Sequence, residues 1–149
     1  MQTEIKHKWF YTQSAEEIWE YLTKAELIEK WLMSNDFEPK IGHEFKFMTN
    51  PLPSFGLDGN FYCKVLEIVP FKKLVYSWKG GTNKNNLTLE TIVEWTLEPK
   101  ENGTELRLIH SGFKEENASI LTAMFDGWNK NIEKMLNHLK SDQNGNSNT

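Results

Sequence analysis

Histidine and tyrosine side chains are the residues of this 149-residue sequence best suited to acid–base chemistry. His110 follows Leu108 by two residues, so a strand turns both side chains to the same face of a sheet. Tyr76 has the same relation to Trp78, and His7 also falls on an inner-facing position of its strand. An inward imidazole or phenol can bind a carbonyl or hydroxyl group, or transfer a proton. His110 is therefore the one candidate catalytic residue, and the alternative is that the backbone satisfies its ring near the end of the sheet.

Other kinds of reactive site have no counterpart in the sequence. The four histidines lack the spacing of metal ligands, and the single cysteine, Cys63, excludes an intrachain disulfide and a multi-cysteine metal site. There is no nucleophile elbow, no phosphate-binding glycine loop and no pair of catalytic carboxylates. We therefore predict no metal ion and no cofactor, and we expect Cys63 to line the interior as a small hydrophobe.

Composition limits the classes of partner. The formal net charge is −4 and no long basic run is present, which disfavours nucleic acid binding. No stretch of about 18 apolar residues is available to span a membrane, and the N-terminus does not read as a charged and apolar leader. The sequence is thus expected to form one cytoplasmic domain over residues 1–140, as a monomer or weak homodimer.

The elements before the main sheet show clear local signals. Residues 5–11 alternate in polarity with a period of two, which predicts a first strand with one wet face. Ser14-x-x-Glu17 has the form of a helix capping box, and Thr23-x-x-Glu26 repeats that form nine residues later. Two short helices separated near Thr23 are therefore predicted after the first strand.

The middle of the sequence predicts strands connected by turns and loops. A turn is predicted at 34–36, a polar loop at 80–86, and a tight turn at 102–103. Residues 50–60 are rich in proline and glycine, which predicts a further loop. Six or seven strands joined by such short links indicate an antiparallel sheet.

A long C-terminal helix is the strongest single prediction. Its apolar residues recur at steps of three and four, at Leu121, Met124, Phe125, Trp128, Ile132, Met135, Leu136 and Leu139. Gly127 interrupts this helix at a cost of about 1 kcal/mol relative to alanine. We expect the close approach of a strand or loop to explain Gly127, with a hinge as the alternative. Residues 141–149 contain no apolar side chain and are predicted to be disordered.

A curved sheet around one helix is difficult to fill completely with side chains, and the remaining space is typical of a ligand site. Met124 and Met135 suit a surface that adapts to different shapes, and the alternative is that both are ordinary core residues. The predicted ligand-binding residues are the aromatic, apolar and polar side chains of the inner faces: Trp9, Phe45, Phe47, Cys63, Tyr76, Trp78, Trp95, Leu108, His110, Met124, Phe125, Trp128 and Ile132.

Short sequence features in a fixed order suggest a family. They include Ile18-Trp19, Lys30-Trp31-Leu32, residues 74–78, residues 93–97, His110-Ser111-Gly112-Phe113 and Gly127-Trp128. Together they resemble the START-like (SRPBCC) superfamily, and more closely the family of the activator of heat-shock protein 90 ATPase in its C-terminal-domain type. The resemblance implies an α+β helix-grip fold like that of the birch-pollen allergen, with a deep cavity between the sheet and the last helix.

Three functions are compatible with that resemblance. The first is a binding module for a small apolar, aromatic or lipid-like ligand, which the aromatic inner faces favour. The second is an enzyme of the cyclase or hydratase type that uses His110 as its acid–base residue. The third is an interaction protein of the stress response with a chaperone as its partner. The sequence favours the first and names neither the ligand nor a pathway.

Overall fold

The computed structural model describes residues 3–147, with side chains for residues 3–142. Buried and exposed side chains alternate along its strands, which form one sheet. The strands are β1 Glu4–Tyr11, β2 Ser34–Asn35, β3 Glu44–Met48, β4 Asn60–Val69, β5 Lys73–Asn83, β6 Asn86–Lys100 and β7 Gly103–Ser111. The helices are α1 Ala15–Thr23, α2 Ala25–Trp31 and α3 Ala118–Ser147, with single 3₁₀ turns at Pro53–Phe55 and Glu115–Asn117.

All strand pairs are antiparallel, in the order β1-β7-β6-β5-β4-β3-β2. The curled sheet holds α3 on its inner side, where Trp95, Leu108 and Met135 are fully buried. The predicted helix-grip fold is confirmed: the structure has a curved antiparallel sheet, a long C-terminal helix and two short helices after the first strand. None of the described helices is both long and apolar enough to cross a membrane.

The first of the two predicted capping boxes is present and the second is not. The Ser14 hydroxyl accepts the amide of Glu17, and the Glu17 carboxylate accepts the amide of Ser14. The second prediction is wrong because Thr23 lies in the last turn of α1, where its hydroxyl donates to the carbonyl of Trp19 at 2.7 Å. The N-cap of α2 is Lys24, which makes no capping bond through its side chain.

Two predicted turns are parts of strands. The turn predicted at 34–36 contains β2, which pairs with the end of β3. Gly80 and Gly81, predicted to lie in a loop, extend β5, and the reversal occurs between Asn83 and Asn86. A Cβ atom on Gly81 would lie 1.9 Å from the carbonyl oxygen of Asn86, so the absence of a side chain lets the two strands approach.

The C-terminal helix is longer than predicted. Disorder was expected from residue 141, but α3 continues through Ser147. The hydroxyl of Tyr21 on α1 donates to the carboxylate of Asp142, which gives this polar segment a tertiary contact that its composition does not reveal. Residues 148 and 149 lie outside the described residues.

Candidate ligand-binding cavity

A cavity of about 300 Å³ lies between the first half of α3 and the sheet, and is closed on one side by the 49–57 segment and the end of α2. Two of its lining residues, Thr49 and Asn131, are polar. The others are apolar or glycine: Leu32, Met33, Leu52, Phe55, Leu57, Phe61, Trp78, Ile120, Ala123, Met124, Gly127 and Trp128. This composition, with few polar groups on apolar walls, is that of small-molecule sites.

The cavity has an inner end and an exposed end. Trp78 and Trp128 are buried at the inner end, where their rings meet edge to face at 5.6 Å between centroids. Leu52 is 36% exposed, and the neighbouring Phe55 and Met33 are half-buried. A ligand would therefore enter past the 49–57 segment and meet the two indoles at the far end.

Gly127 lies on the cavity wall, and the expected close approach of a strand or loop is wrong. A Cβ atom built on this residue meets no heavy atom within 4 Å apart from its own helix and chain neighbours. The helix therefore accepts the cost of a glycine at a position where a side chain would occupy cavity space. The open volume next to Gly127 gives this residue a role in setting the width of the cavity.

One buried donor of a wall residue has no acceptor. The indole nitrogen Nε1 of Trp78 is shielded from solvent and makes no hydrogen bond within the described residues. An unpaired buried donor costs about 1–3 kcal/mol, so a group that supplies an acceptor there gains that amount. Trp78 is thus a residue of the cavity wall whose buried indole N–H has no acceptor within the described residues.

His110 lies behind the cavity wall and is fully engaged. Trp128 Nε1 donates to its Nδ1 at 3.1 Å, so in the neutral ring Nε2 carries the hydrogen and donates to the Thr91 hydroxyl at 2.7 Å. That hydroxyl donates in turn to the carbonyl of Trp78 at 2.7 Å. Burial lowers the pKa of His110 to about 3. Two side chains occupy both nitrogens of this ring, so the expectation that the backbone satisfies it is wrong.

Residues 12–140 match the family described as activator of Hsp90 ATPase homolog 1-like protein. The chain belongs to this family. No curated protein matches the chain.

Solved structures share the fold of this family member along nearly its whole length. The crystal structure of protein MLL2253 from Mesorhizobium loti is 31% identical, with a TM-score of 0.82, and the match covers 93% of this chain and 97% of that one. The Aha1 dimer from Colwellia psychrerythraea, solved in solution, is 22% identical with a TM-score of 0.76, and 93% and 96% of the two chains are covered. DynU16, from the dynemicin biosynthetic locus, is 18% identical with a TM-score of 0.77; 95% of this chain covers 49% of DynU16.

Three of the thirteen residues predicted to bind a ligand line the cavity of this family member: Trp78, Met124 and Trp128. Six others are buried in the core around it: Phe47, Tyr76, Trp95, Leu108, His110 and Ile132. Phe45 and Cys63 are also buried, and they border a different depression at the sheet. Tyr76 is occupied, since its hydroxyl accepts the indole N–H of Trp95 at 3.0 Å.

Phe125 and Trp9 lie at the open edge of β1, outside the cavity. Phe125 is 36% exposed, and its ring lies 4.3 Å from that of His7. Trp9 is half-buried, and its indole N–H donates to Asn129 at 3.1 Å. His7 is likewise engaged, at 3.0 Å from the carbonyl of Phe125. His7, Trp9 and Phe125 thus pack together between β1 and α3. The apolar face of α3 is wider than the part of it that lines the cavity, so Phe125 lies outside the cavity.

Sequence reasoning missed the wall formed by the 49–57 segment and the end of α2. Leu52, Phe55 and Leu57 are apolar residues within a stretch whose prolines and glycines predict an exposed loop. Met33 follows the last residue of α2 by two positions and also faces the cavity. Large apolar side chains in a loop were the available signal, because such residues are expected to pack against something.

Cys63 is a free, buried cysteine. Burial raises the pKa of Cys63 well above its usual value, which keeps the thiol protonated. Among the described residues, no group of three or more histidine, cysteine, aspartate or glutamate side chains is placed to hold a metal ion.

Proposed function

We propose that this protein binds a small, flat or flexible apolar molecule that carries one hydrogen-bond acceptor, with the acceptor meeting the indole N–H of Trp78. The observation that carries the proposal is an unpaired buried donor on a residue that lines an otherwise apolar cavity. A volume of about 300 Å³ is at the lower end of the range for ligand pockets, which favours a ligand of two or three fused rings or a short chain.

The walls support a ligand of variable shape. Met33 and Met124 are both half-buried on the wall, and unbranched thioether side chains adapt to different contours. Met135, by contrast, is fully buried and does not line the cavity, so it acts as a core residue. The polar groups Thr49 and Asn131 add further hydrogen-bonding capacity to the lining.

An enzyme that uses His110 is not favoured by this geometry. The ring does not line the cavity, and both of its nitrogens are hydrogen-bonded inside the protein. A general acid or base must come within hydrogen-bond reach of the proton that it transfers. Binding without turnover is therefore the function we propose, in agreement with the sequence-based preference.

A matched pair of ligands tests the proposal: fluorenone and fluorene, planar molecules that differ by one carbonyl group. Both should give saturable amide shifts at Met124 and Gly127 in two-dimensional NMR spectra of the labelled protein. Fluorenone alone should shift the indole N–H of Trp78, and it should bind about fivefold to tenfold more tightly, as expected for one hydrogen bond. Equal affinities would remove the acceptor from the proposal, and no saturable shift with either compound would overturn the cavity as a ligand site.

Two variants make the result specific. Trp78→Phe removes the donor and keeps a ring, so fluorenone should lose its advantage over fluorene. Trp9→Phe makes the same change at the edge of β1, outside the cavity, and should keep that advantage. If Trp78→Phe still bound fluorenone more tightly than fluorene by the wild-type factor, the fluorenone carbonyl would not be bonded to the Trp78 indole.

Association with a chaperone stays a prediction. The family is named after an activator of the Hsp90 ATPase, and the Colwellia relative is a dimer. The ATPase rate of Hsp90, measured with and without this protein, tests the partner. Light scattering over a concentration series tests the predicted monomer or weak homodimer.

A further inference from the structure

Four lysines border a shallow depression on the outer face of the sheet. They are Lys46 on β3, Lys64 on β4, Lys79 on β5 and Lys84 in the turn between β5 and β6. None of the four forms an ion pair within the described part of the chain, and of the twelve lysines elsewhere four pair with a glutamate. The outer face therefore concentrates cations that have no intramolecular counterion.

Strand register places three of these lysines around Tyr62. Lys46 and Lys79 lie directly across from Tyr62 on the two neighbouring strands, and Lys64 follows it on the same face. Directly opposite residues have Cβ atoms about 5 Å apart, so the three long side chains can reach one common point. Ammonium groups brought to that point would repel one another, and an anion between them would relieve that repulsion.

The acidic neighbours form no ion pairs with the group. Glu44 is the cross-strand partner of Lys64, and Glu90 is that of Lys79, yet neither carboxylate forms an ion pair with its opposite lysine. Asp36, which also borders the depression, accepts the backbone N–H of Lys46 at 2.7 Å.

The depression has a net positive charge in an acidic protein. Four lysines against the two carboxylates of its lining, Asp36 and Glu44, leave a formal charge of +2 on the lining, while the whole chain carries −4. Two further carboxylates lie next to the lining: Glu90 opposite Lys79, and Asp58 at the Tyr62 hydroxyl. The volume of the depression is about 420 Å³, and its concave shape suits a compact ligand better than the flat surface of another protein. Ser77 adds a half-buried hydroxyl beside Lys64.

We propose that this depression binds a compact dianion of the phosphate class, such as a phosphate monoester or diphosphate group on a small molecule. Lysine binds phosphate as a mobile point charge, and several lysines around one point fit the charge of a dianion better than that of a single carboxylate. The Tyr62 hydroxyl donates to Asp58 at 2.9 Å, so its oxygen remains an acceptor for a lysine rather than a donor to the anion. The site lies on the opposite face of the sheet from the apolar cavity and does not depend on it.

Titration of the labelled full chain with inorganic pyrophosphate tests the proposal. The amides of Tyr62, Lys64 and Ser77 should show saturable shifts, and added sodium chloride should weaken the affinity because salt screens exposed charges. The double variant Lys46→Gln/Lys79→Gln should bind pyrophosphate about tenfold more weakly, since two of the three converging charges are removed. Its fluorenone binding should be unchanged.

The control is Lys30→Gln/Lys130→Gln, which changes the net charge equally through two exposed helix residues outside the depression. It should keep the wild-type affinity for pyrophosphate. Equal losses in the two double variants would show a general charge effect and overturn the site. Shifts that stay linear in pyrophosphate concentration, or that centre on other residues, would overturn it as well.

Discussion

His110 shows how the partners of one side chain decide its role. Alternation along β7 places the ring inside the sheet, and Trp128 and Thr91 then occupy both of its nitrogens. Because Trp128 can only donate, the neutral ring holds its hydrogen on Nε2, and a second proton would have to displace the Trp128 bond. The network thus stabilises the uncharged form and connects α3 to β6 and β7.

The titration of His110 predicts how stability depends on pH. Its pKa is lowered from 6.5 to about 3 in the folded protein, so between these values the unfolded chain binds a proton that the folded chain does not. The free energy of unfolding should therefore fall as the pH falls through this window, by up to about 1.4 kcal/mol per pH unit. His110→Gln keeps an acceptor and a donor but cannot titrate, so urea unfolding between pH 6.5 and 4 should show a shallower slope. An identical slope in the variant would assign the acid sensitivity to other groups.

At the scale of elements, the strand and helix periods could be read from the sequence, while the neighbours of each element could not. Period-two alternation identified β1, and the three- and four-residue steps identified α3, because each pattern follows from burial of one face. The 49–57 segment has no such period, and it lines the cavity through long-range contacts that local sequence does not encode. Gly81 is a second example. The glycine pair predicts a loop from sequence alone, and only the structure shows that the carbonyl of Asn86 lies where a side chain on Gly81 would be.

Two glycines in different elements give opposite predictions for the same substitution. Gly81→Ala would bring a Cβ atom against the backbone of β6, so the β5–β6 hairpin should lose about 1–3 kcal/mol of stability. Gly127→Ala meets open space in a helix and should stabilise the protein by up to about 1 kcal/mol. Urea unfolding of the two variants beside the wild type measures both effects. A destabilised Gly127→Ala would mean that α3 needs glycine for a backbone reason unrelated to the cavity.

For the molecule as a whole, the helix-grip arrangement holds a rigid core beside an incompletely filled space. Four of the six tryptophans are at most 2% exposed, and edge-to-face contacts link Trp31 to Trp95, Trp95 to Trp128, and Trp128 to Trp78. This ring cluster fills the space under the middle of α3, while the first half of the helix leaves the cavity open. The family and fold follow from the order of short sequence features, but the position of the open space depends on how these large rings pack.

The open space connects ligand binding to global stability. A ligand that binds only the folded state adds about 1.4 kcal/mol at a free concentration ten times its Kd, which raises Tm by about 3–6 °C for a chain of this size. Fluorenone should produce that shift in the wild type. Gly127→Leu places a side chain in the cavity and should abolish the shift, while Asp126→Leu, at the adjacent exposed position, should keep it. Differential scanning calorimetry measures the Tm of the three proteins with and without fluorenone. A shift in Gly127→Leu equal to that of the wild type would locate fluorenone outside this cavity, because a ligand that cannot enter the filled cavity cannot stabilise the folded protein from there.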